Sequence, residues 1–68
     1  MTLESYWALG PGDTGVEVER MQEMLGLEPT GVFDEVLTQR VRGVQIVHGL
    51  IPDGIIDEET LVKMSTWR

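Results

Sequence analysis

Apolar residues recur at helical spacing in two stretches of the chain, and the same punctuation closes both. Val18, Met21, Gln22 and Leu25 stand at i, i+3, i+4 and i+7, one face of a helix, with Glu17, Glu19, Arg20 and Glu23 on the other side. Leu37, Val41, Val44 and His48 share a face in the second stretch. Each run stops at a glycine, Gly26 or Gly49, where a helix often ends with φ above zero. The leucine after each glycine, Leu27 or Leu50, closes the helix, and Leu27 is placed to fold back onto Met21.

Between the helical runs the chain writes nearly one phrase twice. "GLEPTGVFDE" (26–35) and "GLIPDGIIDE" (49–58) agree at six of ten positions, with an offset of 23 residues. Pro29-Thr30-Gly31 and Pro52-Asp53-Gly54 carry turn chemistry, since proline presets φ and glycine favours the turn's end. An apolar pair, Val32-Phe33 or Ile55-Ile56, then returns the chain to the core, with room for short extended pairing there but no long strand. Asp34 and Asp57 occupy N-cap positions, where a carboxylate accepts a hydrogen bond from an otherwise unpaired helix N–H. Glu35 and Glu58 suit the positive end of the helix dipole. The full capping box is missing, because Leu37 and Thr60 stand where Glu or Gln would be. Gln22 and Gln45 hold equivalent places, four residues before each glycine.

The pattern predicts three helices, over 16–25, 35–48 and 57–66, joined by two similar loops. The expected fold is all-α: a compact three-helix domain (16–68) built on a helix–loop–helix pseudo-repeat, with residues 1–15 as a leader packing on it.

Size and charge narrow the picture. A chain of 68 residues makes one domain and buries only ~60% of its unfolded surface. It has no cysteine, so no disulfide staples it, and aliphatic side chains must form the core. No apolar run approaches the ~18 residues of a membrane span, and no signal peptide opens the chain. The locations this suggests are the cytoplasm, a virion, or a larger wall-targeted protein. Net charge is −7, and residues 1–30 carry six acids against Arg20 alone. Phosphate backbones and anionic membrane surfaces repel such a chain, which argues against nucleic-acid and membrane partners.

Candidate chemistry is sparse. His48 is the lone histidine and, without cysteine, cannot assemble the usual zinc ligand set; next to Gly49 its imidazole is placed to meet helix carbonyls. Ser5 and Ser65 lie in terminal segments, away from any base. Asp53, Asp57, Glu58 and Glu59 read as turn, cap and first-turn residues, and they do not follow the calcium-loop pattern. Neither catalysis, nor a metal, nor a cofactor is expected. The aromatic residues Tyr6, Trp7 and Trp67 either cap the core or stack on a sugar face or a partner surface. With Asp53 they make up the candidate binding residues.

The spaced residues also carry a family resemblance. "GDTGVEVERMQEMLGL", "GVF" and "VRGVQIVHGLIPDGIIDEET" together resemble the peptidoglycan-binding domain of the PGBD-like superfamily, over about residues 9–64. Gly12, Asp13, Gly15, Val18 and Gln22 match its opening, with Met21 for leucine. Gly31, Phe33, Val41, Gln45, Gly49, Leu50, Asp53, Gly54 and Thr60 match the rest. Asp34 and Asp57 replace loop glycines, Leu37 replaces a threonine, Arg40 an alanine and Val44 a phenylalanine. Arg40 and Val44 suggest a thinner central contact or a surface adapted to another partner. The resemblance implies a non-catalytic module that binds peptidoglycan, or a structural or adaptor protein reusing the fold with a protein assembly as partner, such as a small bacteriophage virion component.

Overall fold

The computed structural model describes residues 8–66. Three helices appear in it: α1 (Val16–Met24), α2 (Glu35–Val47) and α3 (Glu58–Thr66). Each lies within a residue of the expected span, and the residues that fall outside are caps.

Side-chain chemistry starts α2 and α3. Asp34 Oδ1 accepts from the Leu37 N–H at 3.0 Å, and Asp57 Oδ1 accepts from the Thr60 N–H at 2.9 Å. In α1 the N-cap is Gly15, at φ 123° with no side-chain cap, a backbone shape that only glycine adopts without strain. At the other end, α1 and α2 stop in the same way. The Gly26 N–H donates to the Glu23 carbonyl and Leu27 N–H to Gln22. Gly49 repeats this with Ile46, and Leu50 with Gln45. Both glycines sit at φ 74°, so the helix turns on a left-handed residue while its last carbonyls stay bonded.

The core is Val18, Met21, Leu25, Phe33, Leu37, Val41, Val44, Ile56 and Met64, all buried, with Leu9, Met24, Leu27 and Leu61 packed around it. It draws one stripe from each helix and one residue from each apolar pair. Val44 is fully part of this core, and Arg40 donates from Nη1 to the Leu25 carbonyl at 2.8 Å. That bond satisfies a carbonyl at the end of α1 and ties α2 to it.

The short extended pairing expected at the apolar pairs is present, and each pair finds its partner in residues 9–15. Leu9 and Ile56 exchange both backbone hydrogen bonds, at 2.9 and 2.8 Å. Phe33 N–H donates to Asp13, Gly12 N–H to Phe33, and Gly15 N–H to Gly31. Two antiparallel single-residue bridges result, Leu9 with Ile56 and Thr14 with Val32. Asp13 holds the bend between them by accepting the Gly10 N–H on Oδ2 at 2.8 Å.

Candidate functional site

The most ordered polar feature is a pair of glutamine clamps. Gln22 and Gln45 are buried, and each lays its side-chain amide along the loop that follows its own helix. Gln22 Oε1 accepts the Gly31 N–H at 2.9 Å, while its Nε2 donates to Thr30 Oγ1 and the Val32 carbonyl, both at 3.0 Å. Gln45 Oε1 accepts the Gly54 N–H at 3.0 Å. Its Nε2 donates to Asp53 Oδ1, the Ile55 carbonyl and Thr60 Oγ1, at 3.1, 2.9 and 3.1 Å. A primary amide offers one acceptor and two donors, which matches the inward-facing edge of a tight turn. The helix periodicity places Gln22 on the apolar face, and the equal distance of Gln22 and Gln45 from the following glycine is the visible trace of the clamp.

These clamps define what the loop residues do. Asp53 accepts from Gln45 and, through the same oxygen, from the Ile55 N–H at 3.0 Å, so it shapes the turn as Thr30 does in the first loop. Gly31 and Gly54 are buried at φ 82° and 78°. Thr60 Oγ1 accepts from Gln45, and Asp57 accepts from the Thr60 backbone. That backbone bond above all, with help from the Thr60 hydroxyl, holds the Asp57 carboxyl below the usual aspartate range. His48 bonds through Nδ1 to the Val44 carbonyl at 2.9 Å, the helix contact its position implied. Tyr6, Trp7 and Trp67 lie outside the described residues. No group of three or more His, Asp or Glu side chains able to hold a metal occurs among the described residues, and no described helix is long and apolar enough to cross a membrane.

Among the described residues there is a groove that the sequence reading did not pick out. It runs open to solvent along the outer side of α2, has a volume of about 640 Å³, and is lined by Glu35, Val36, Gln39, Arg40, Gly43, Val44 and Val47. Val36 and Val47 are 61% and 67% exposed, so apolar surface faces solvent here. The polar groups at its edge are pre-positioned. Gln39 Nε2 donates to Glu35 Oε2 at 2.7 Å, and Arg40 is pinned by the Leu25 carbonyl. A smaller hollow of about 150 Å³, beside Gln22, Leu27, Glu28, Thr30 and Asp34, meets the groove at Val36.

Gly43 lies on the groove wall, in the interior of α2. It is absent from the glycines with positive φ, and a Cβ built there would meet nothing within 4 Å. Folding therefore does not require glycine at this position, and alanine would be more stable by roughly 0.5–1 kcal/mol.

A three-helix scaffold with its strongest polar side chains committed to caps and turns, and an open apolar groove on one helix, defines a small all-α binding module. The family model described as "Putative peptidoglycan binding domain" matches residues 15–64, well over half the chain. The chain belongs to that peptidoglycan-binding domain family. Among solved structures, a fused Zn-dependent amidase/peptidase/peptidoglycan-binding domain-containing protein from Clostridium acetobutylicum is similar, with a TM-score of 0.83 at 22% identity. That match covers 88% of this chain and 29% of the other, so the likeness is one of fold over part of a longer protein. No curated protein matches the chain significantly.

Proposed function

We propose that the chain works as a non-catalytic module that holds peptidoglycan. The observation that carries this is the family match over residues 15–64, which takes in both clamped loops and the whole of α2. Supporting the non-catalytic part, Asp34, Asp57, Gln22, Gln45, Asp53, Thr60 and His48 are all engaged in caps, clamps or helix contacts. A module of this kind raises the local concentration of an attached or associated wall enzyme on its insoluble substrate. Tyr6, Trp7 and Trp67 supply rings for stacking on sugar faces in this reading.

Co-sedimentation with purified sacculi at two salt concentrations tests it. The chain carries −7 and the wall is anionic, so long-range attraction contributes nothing to affinity. Salt screens the repulsion over ~10 Å at 0.1 M, and binding should hold or strengthen as salt rises. The expected result is pelleting at both concentrations, weakened by Trp7→Ala or Trp67→Ala if stacking contributes. A chain that stays in the supernatant at both refutes wall binding and leaves the adaptor function of the fold.

A further inference from the structure

We propose that the groove along α2 is where the wall is held, and that it takes the peptide arm of peptidoglycan rather than the sugar chain. This rests on the wall-binding function above and adds to it the location and the chemical half of the ligand. Two observations lead there. First, Gly43 has ordinary helical backbone and open space where a Cβ would stand, so its lack of a side chain serves no packing need inside the domain. What it does provide is bare helix surface on which an extended chain can lie close. Second, the exposed apolar walls are Val36 and Val47, and the polar edge offers one acid, Glu35, and one base, Arg40. A short peptide carrying alanine methyls, an amine and carboxylates complements that set: methyls on the valines, amine to Glu35, carboxylate to Arg40. The volume, about 640 Å³, lies in the range of clefts that hold small ligands.

The test compares intact sacculi with glycan strands stripped of peptide by an amidase, and adds a synthetic L-Ala-D-Glu-L-Lys-D-Ala-D-Ala peptide followed by amide NMR shifts. Two variants report on the groove: Gly43→Leu, which fills it, and Gly43→Ala, which tests that the helix tolerates a side chain there. The expected result has four parts. The wild type pellets more with sacculi than with stripped strands. The peptide shifts amides of residues 35–47. Gly43→Leu loses about ten-fold or more in affinity. Both variants melt at or above the wild-type temperature, so the loss is not unfolding. Equal binding to stripped strands, with Gly43→Leu neutral, overturns the groove assignment and leaves wall binding intact. Absence of binding to intact sacculi overturns wall binding itself, and the assignment with it. A wild type that is dimeric, and becomes monomeric on Gly43→Leu, overturns the assignment in favour of a second copy of the chain on this face.

Discussion

The two loops are near copies in sequence, yet the glutamine clamp on the second has one more acceptor in reach than the clamp on the first. In the first, the Gln22 Nε2 donors reach two acceptors, Thr30 Oγ1 and the Val32 carbonyl. In the second, the Gln45 donors reach three, because Thr60 adds a hydroxyl where the first copy has Leu37. That one difference links the second loop to α3 through a side chain, whereas Leu37 puts its volume in the core instead. The glycines differ too. A Cβ on Gly31 would meet the flexible end of Glu19 at 3.1 Å, while one on Gly54 would meet Thr38 Cγ2 at 3.0 Å and Arg42 Cγ at 3.4 Å. One repeat unit can thus be tuned toward core packing or toward polar locking without changing its backbone.

The largest effect should come from cutting the clamps. Gln45→Ala leaves the buried Gly54 N–H without its acceptor, at about 1–3 kcal/mol, and takes away the donor to the Thr60 hydroxyl oxygen. We expect Gln45→Ala to lower the urea midpoint more than Gln22→Ala. Equal losses would mean that the Thr60 link adds nothing and the two loops are energetically alike.

Next come the turn glycines. A β-branched residue at φ near +80° is strained by about 1–2 kcal/mol before any clash. Gly54→Val should therefore cost more than Gly31→Val, where the neighbour can swing away, and both more than Gly10→Val, whose nearest new contact is Ile55 Cγ1 at an ordinary 3.7 Å. Chemical denaturation of the three variants would rank them, and a Gly31 loss as large as that at Gly54 contradicts the asymmetry.

The smallest expected effect lies in the caps. Asp34→Ala and Asp57→Ala should each remove ~1 kcal/mol, the usual worth of an N-cap. Asp57 adds a pH signature. Its folded pKa lies below the unfolded value, so the bond adds stability above about pH 4 and loses it as pH falls through the lowered folded pKa. The carboxylate is well exposed, which keeps this contribution small. Thermal melts of wild type and Asp57→Asn between about pH 6 and about pH 2 should converge toward the acid end. Parallel curves would show that the charge on Asp57 does not matter to folding.

The sequence by itself determined the helices and their ends, because those depend on residues close together in the chain. Asp34 and Asp57 reach N–H groups three residues ahead, and Gly26 and Gly49 close the helices they follow, so both signals were legible from spacing alone. The family was legible for the same reason, since its spaced glycines and glutamines are the local grammar of the repeat. Other features required the chain to be folded. That Leu9 would pair with Ile56 across 47 residues, that Gln45 would reach Thr60, and that Arg40 would cap the Leu25 carbonyl are contacts between distant elements. No period or cap motif encodes them. The groove on α2 belongs to the same class: Val36, Gly43 and Val47 read as unremarkable surface positions until packing buries the opposite face and leaves theirs open. Local hydrogen bonding is written residue by residue, but an open surface is what remains after every other face has been covered, and only the assembled core decides that.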